Sequence, residues 1–324
     1  MEFENRSGLQ AALTRGGLPG EGKTLAVVIA KACAELREAG RFELVPEVPV
    51  PVTYEPVKHE FGTIPADVVI RKRGMDVIAL GKAYHPRIDG GQESRVSVRV
   101  GGDRRELCIF GERQWYKSNT GSWAVTDPQP FSLMSLTWEN SYGGTSFDEW
   151  GNDMLHPLNR EGKGFIADEQ AIEGTHLPNI EDAEHRVTHW QDQPRPCNIA
   201  PAPKHIAFDP APYAAQLEAA RKEPFRLPEA IWNDAVPKFQ FEKAPPGTTI
   251  QLAGMSETPL LFDLPALRLS AKVQTGPRRG DFELALDTVM FMPEQRRCVL
   301  TWRAHFMYEF IPRQERRVVL ERQA

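Results

Sequence analysis

The stretch GLPGEGKTLAVVIAKACAELREAG, Gly17 to Gly40, decides between two fold classes. Its first eight letters fit G-x-x-x-x-G-K-[ST]. In that loop, backbone N–H groups cradle phosphates while the Lys and Thr reach the outer phosphates and magnesium. The loop works only between a buried parallel strand and a helix. The upstream flank, ENRSGLQAALTRG, carries Asn5, Arg6, Ser7, Gln10, Thr14 and Arg15 and has no Val, Ile or Leu run fit for burial on both faces. Downstream, the chain reads as a helix capped by Gly40 or as a strand opening on Leu25 to Ile29. An apolar strand ending in a magnesium-binding Asp is also wanting. ADVVI has its Asp at the wrong end, and LCIFGE is a poor substitute. The expectation is a Gly-rich turn leading into a first strand.

A chain of 324 residues makes one large domain or two ordinary ones. A net charge of −5 gives no reason to expect nucleic acid or an anionic membrane as a partner. No apolar run approaches the length of a membrane span, and MEFENRSG is too polar for a secretory signal. Cys33, Cys108, Cys197 and Cys298 form no C-x-x-C pair and read as reduced structural thiols of a cytoplasmic protein.

Outside the prolines clustered at 46–56, 194–212 and 245–246, the pattern has period two. SRVSVRV puts Val96, Val98 and Val100 on one face. CVLTWRAHFMYEF puts Leu300, Trp302, Ala304, Phe306, Tyr308 and Phe310 on one face and Thr301, Arg303, His305 and Glu309 on the other. Such alternation predicts half-buried antiparallel strands. A helix is expected around 211–222, with a turn at Pro228 to Asn233. The fold class is therefore mainly β: antiparallel sheets packed as a sandwich or open barrel, with long ordered loops and one or two short helices. The boundaries read as a β lobe over 1–205 with a long loop at 139–205, a helical connector at 206–234, and strands over 235–324 that complete the same or an adjoining sheet. All three could equally form one continuous domain.

The long loop opens with ENSYGGTSFDEWGNDMLHPLNREGKGF, rich in Gly, Asn, Asp and aromatics and without periodicity. Its anchors, Tyr142, Phe147, Trp150 and Phe165, are expected to be at least partly buried. Its glycines suit positive-φ turns or close backbone approach. An enzyme alternative, hydrolase-type or metal-dependent, would place its site at 139–190. His185-x-x-x-His189 has helical ligand spacing but lacks the Glu of H-E-x-x-H. Ser141 and Ser146 lie outside any G-x-S-x-G elbow, and Asp148, Glu149 and Asp153 read as solvated loop carboxylates. That alternative requires His156, Glu139 and Asp153 to converge in a deep pocket.

KRGMDVIALGKAYHP (72–86), FGERQW (110–115), FSLMSLTWENSYGGT (131–145), HPLNREGKGF (156–165) and LPNIED (177–182) follow in the order seen in a bacterial domain-of-unknown-function family. FQFEKAPPG (239–247), LLFDLP (260–265) and LDTVMFMPEQRRCVLTWR (286–303) continue the series. The chain resembles that family from about residue 24 to 305. The resemblance implies a non-enzymatic adaptor or chaperone of type VI secretion, encoded beside VgrG spike, PAAR-tip and effector genes. Its partners would be an effector toxin and a PAAR or VgrG tip protein, with no cofactor, metal, nucleic acid or membrane. Two departures stand out. Pro246-Gly247 replaces an Asp-Gln pair common in relatives, and HIAFDPAPYAAQ lacks their Trp and Arg motif.

The motif positions are Asp76, Gly81, Arg113, Trp115, Glu139, Tyr142, Gly143, Gly144, Asn159, Gly162 and Gly164, which either build the fold or touch a partner. Arg113 with Glu139 is expected as a buried ion pair, and Trp115 in a core. The cargo surface is expected to combine an exposed strand edge with a groove lined by 46–56 and 194–212. Magnesium ATP or GTP at millimolar concentration should give no heat in calorimetry. Micromolar affinity abolished by Lys23→Ala would overturn the strand reading of Gly17 to Gly40.

Overall fold

The computed structural model describes residues 1–17, 23–87, 89–221, 227–309 and 311–323. Lys23–Leu36 is a single strand of 14 residues. It pairs antiparallel with Gln10–Gly17, and Gly17 lies opposite Thr24. Thr24, which a phosphate loop would set at a helix start, is therefore in an extended ladder. Residues 18–22 of the phosphate-loop match lie outside the described residues.

Why this Ala-rich segment is a strand is answered by its neighbours. Arg297–Glu309 runs antiparallel along its whole length, with Trp302 opposite Ala30, Phe306 opposite Ala26 and Leu300 opposite Ala32. Each large side chain meets a small one, which lets the shared face pack densely. The other edge is paired by Gln10–Gly17 and then by Arg41–Val45. Ladder hydrogen bonds on both sides override the helix propensity of alanine.

Among the described residues the sheet has 15 strands, twelve on one continuous path, with Gln10–Gly17, Met75–Ala79 and Gln240–Phe241 paired off it. From one edge its order is Glu2–Asn5, Arg316–Arg322, Leu269–Thr275, Arg278–Met292, Arg297–Glu309, Lys23–Leu36, Arg41–Val45, Leu260–Asp263, Thr249–Ala253, Glu93–Val100, Asp103–Phe110 and Ile180–Asp182. It is mixed but mainly antiparallel, and among the described residues it does not close into a barrel. Strands from 1–205 and from 235–324 lie side by side in it. Val96, Val98 and Val100 are buried as their alternation predicts. The helix at 211–222 appears as a 3-10 turn, Ala211–Tyr213, followed by Ala214–Ala220, and Glu229–Trp232 forms a further 3-10 turn.

The polar face of the central strands corrects the half-buried expectation. Thr301 and Arg303 are buried, as is Lys31 among the alanines. The chain from Pro51 to Asp76 covers them. Lys31 Nζ donates to Asp67 Oδ2 (2.8 Å) and to the Pro51 carbonyl (3.2 Å). Arg303 Nε donates to the Asp67 carbonyl (2.9 Å), and its guanidinium pairs with Asp287. Asp287 sits where the register of Arg278–Met292 slips against Arg297–Glu309. A bulge re-aims its extra residue, here a carboxylate at an arginine. The same strand changes partners at this bend: Arg278–Leu284 pairs with Leu269–Thr275, while Thr288–Phe291 runs parallel to Asp76–Ala79.

Thr288 Oγ1 links this cluster to the next. It donates to Asp287 (2.9 Å) and accepts from Lys72 Nζ (2.8 Å). Lys72 also donates to Asp76 (2.8 Å) and Asp234 (2.6 Å). Asp234 in turn takes Lys204 at 2.5 Å. Burial works against the charge on Lys72, but Asp234 and Asp76 outweigh it and raise its pKa. Burial likewise works against Asp234, yet Lys72 and Lys204 hold its pKa below the ordinary carboxylate value. For Asp287 burial prevails and pushes the pKa up. Lys72→Met would leave Asp76 and Asp234 buried without their shared cation, which costs about 3–5 kcal/mol. Urea denaturation is expected to show that loss; a change within about 0.5 kcal/mol, as for an ordinary surface substitution, would contradict the role given to Lys72.

Candidate functional site

Between Trp115 and Val187 the chain forms a second core that includes Trp115, Tyr142, Phe165, Ile166, Ile172 and Leu177. Its centre is a crossing of two extended pieces, with Tyr142–Gly143 parallel to Lys163–Gly164. Gly143, Gly144 and Gly164 have φ values of +145°, +97° and +96°. A Cβ at Gly143 would strike the Asn159 carbonyl oxygen, and one at Gly144 that of Gly162. At Gly162 it would lie 2.5 Å from the Ser141 oxygen, and at Gly164 2.6 Å from the Pro178 ring. Gly143, Gly144 and Gly162 thus let the two backbones approach more closely than any side chain would permit, and Gly164 admits a third piece at Pro178.

Asn159 ties the crossing together. Its Nδ2 donates to the carbonyls of Trp138 (2.8 Å) and Tyr142 (3.0 Å), and its N–H donates to His156 Nδ1 (3.1 Å). The His156 ring lies edge-on between Tyr142 and Phe165, at 5.2 and 5.4 Å. Burial lowers the His156 pKa. Burial, then the nearby Asp192, pushes the Tyr142 hydroxyl up to about 12.

From Gly144 a hairpin leaves this root: Thr145–Phe147 paired with Asp153–Leu155. Its tip is tied by Asp148, whose carboxylate accepts from the N–H groups of Trp150 (3.0 Å) and Asn152 (2.8 Å). Trp150 is 77% exposed, Leu155 49%, Met154 41% and Phe147 39%. Of the four expected anchors, Tyr142 and Phe165 are buried, Phe147 is partly buried, and Trp150 stands in solvent. Aromaticity marked both pairs, but only those at the crossing have a core to enter.

The other motif positions divide. Trp115 is in the second core. Arg113 is buried against Glu181, with its guanidinium 3.8 Å from the Phe110 ring centre. Glu139, the expected partner, is exposed. Burial outweighs the attraction on both sides of the pair, lowering Arg113 and raising Glu181. Asp76 is fully buried in the network under the sheet, and Gly81 lies against the Glu294 carboxylate where a Cβ would collide. Of residues 46–56, Pro51 accepts from Lys31 and Thr53 N donates to Asp67, which ties that part to the buried charges of the central strands. In 194–212, Ile199 is buried and its carbonyl accepts from Ala79 N (3.0 Å), so that part runs through the body. Only its end, Ala207 to Pro212, reaches a cavity of about 690 Å³. The guanidinium groups there are engaged: Arg71 with Glu229 (2.9 Å), Arg73 with the Tyr213 hydroxyl (2.5 Å), Arg105 with the Lys238 carbonyl (2.7 Å). An adjoining cavity of about 340 Å³ is floored by Lys72, Asp287 and Arg303.

The chemistry sought in the loop is arranged otherwise. His156 is buried, whereas Glu139 and Asp153 are exposed, and none of the three lines either cavity. His185 and His189 are not on a helix. Asp182, Glu184 and His185 come together, but Lys238 Nζ sits 2.6 Å from Asp182 and 3.5 Å from Glu184 and supplies the positive charge itself.

Residues 21–303, which hold both the network and the crossing, match a family described as an uncharacterized protein conserved in bacteria (DUF2169). The chain belongs to that family. No curated protein and no solved structure matches it. In this DUF2169 member, six of the motif positions (Tyr142, Gly143, Gly144, Asn159, Gly162 and Gly164) form the root of one exposed hairpin. Gly144→Ala is expected to cost about 1–3 kcal/mol from its positive φ alone, with the clash at Gly162 added. Limited proteolysis should then cut within 145–155 faster than in the parent; an unchanged digestion pattern would argue against the crossing as the hairpin's support.

Proposed function

We propose that this protein is a non-enzymatic adaptor or chaperone that binds a type VI secretion effector in the cytoplasm and helps seat it on the PAAR or VgrG spike tip. The observation that carries the reading is the hairpin, which exposes Trp150 at its tip, Leu155 and part of Phe147 on one face and part of Met154 on the other, on a root built of glycines and Asn159. Exposed clusters of this kind mark interaction surfaces. Tryptophan is a frequent interface anchor because it buries much area and loses little side-chain freedom. A support already rigid before binding lowers the ordering cost of association. The order of motifs from about residue 24 to 305 supports the choice of type VI secretion over other binding roles.

The test is co-expression with the effector encoded beside it and with the matching tip protein. A stable complex is expected, and Phe147→Ser with Trp150→Ser should weaken it about thirtyfold or more, the equivalent of a hot-spot loss of about 2 kcal/mol. Trp150→Ser alone, at a side chain 77% exposed, should leave the melting temperature unchanged. Normal effector delivery by a strain lacking the protein would overturn the reading, as would turnover of a small substrate by the purified protein.

A further inference from the structure

The hairpin also has a free ladder edge. His156 N donates to the Gly144 carbonyl (2.9 Å) and Asp148 N to that of Asn152 (3.0 Å). Between them the register is Thr145↔Leu155, Ser146↔Met154 and Phe147↔Asp153. In an antiparallel pair, hydrogen-bonded and non-hydrogen-bonded residue pairs alternate. The bonded pairs are therefore 144/156, 146/154 and 148/152. The N–H and C=O groups of Asp153 and Leu155 point the other way, off the outer side of the hairpin. All three residues of Asp153–Leu155 are exposed, and among the described residues this sheet has two strands only. On the face that Ser146 shares with Met154, Ala167 N donates to Ser146 Oγ (2.9 Å), so that face is turned toward the body.

The side chains say what kind of strand would fit. Alternation puts Phe147, Asp153 and Leu155 on one face. Residues 145–155 contain Asp148, Glu149 and Asp153 and no Lys, Arg or His. Asp148 is engaged in its own turn, while Glu149 and Asp153 are exposed at the rim. An incoming strand thus meets an apolar position at Leu155 and a carboxylate two residues away at Asp153, on the same face.

We infer that the Asp153–Leu155 edge accepts an extended segment of a partner protein as a third, antiparallel strand, and that this segment carries an apolar and a basic residue two positions apart. Main-chain hydrogen bonds would hold it and the alternate side chains would select it, as in other strand additions. The inference rests on the adaptor reading in taking the hairpin as the partner-binding face.

The probe is the capped peptide Val-Thr-Lys-Thr-Val-Thr-Lys, added at millimolar concentration to the full-length protein. Hydrogen exchange followed by NMR should show the Asp153 and Leu155 amides protected about tenfold or more, with the Met154 amide, already bonded inward, unchanged. N-methylation of the Val and Lys amides should abolish binding, whereas N-methylation of the Thr amides, which face away from the edge, should not. Asp153→Lys should reject this peptide and accept its Glu-for-Lys counterpart. The inference fails if neither amide is protected, if both methylated peptides bind alike, or if the effector still co-purifies at full strength with Asp153→Lys and with Leu155→Pro. In the last case the adaptor reading survives without the edge. Protection of Asp153 and Leu155 by the peptide, with no effector co-purifying, would support the edge and count against the adaptor reading.

Discussion

Arg303 and Lys31 carry full charges into the middle of the sheet, and the covering layer is arranged around their neutralisation. Asp67 reaches them from the chain that crosses the sheet, and Asp287 from a bulge in the adjacent strand. Through Thr288 the cluster joins Lys72, Asp76, Asp234 and Lys204, so segments distant in sequence are fixed to one another by directional bonds. A buried ion pair gives little net stability over an apolar pair of similar size, but losing one partner is costly. The network thus disfavours displacement of the cover more than it strengthens the whole. The opposite face is held by ordinary apolar packing, with Trp302 and Phe306 set against alanines.

The same body carries the second core at its flank. Ile180–Asp182 is the last strand of the large sheet, and Glu181 within it takes Arg113, so the loop region is attached through a ladder and an ion pair together. The glycine crossing is built on that attachment. It spends backbone freedom at three glycines to bring two chain segments into contact and at Gly164 to admit Pro178, and the hairpin rooted there projects apolar side chains outward. A fold concerned only with its own stability would turn Trp150 inward or replace it. A closely packed root and a tip that exposes apolar side chains are the features on which the proposed binding role rests.

Much of the framework was legible in the residues. Alternating valines gave the Glu93–Val100 strand, the polar flank before Gly17 spoke against a strand buried on both faces and so for the strand reading of Lys23–Leu36, and the clustered glycines announced close backbone approach. Lys31, isolated in a run from Leu25 to Ala34, was a readable sign of a buried, paired cation. What the residues could not report was which faces would be covered. Period two tells which side chains share a face and says nothing about what lies over it. Thr301 and Arg303 therefore looked solvated until the Pro51–Asp76 chain was seen above them. Partner choice was equally hidden. Lys72 and Thr288 are 216 residues apart, and Arg113 meets Glu181 rather than Glu139, because only folding sets the distances on which ionic attraction depends. Tyr142 and Trp150 are similar as letters, yet one is packed against His156 and the other stands in water. The sequence by itself determined strands and turns through local sterics and periodicity. The tertiary structure decided burial, charge pairing and the exposed hairpin, which arise from contacts between segments that no local pattern encodes.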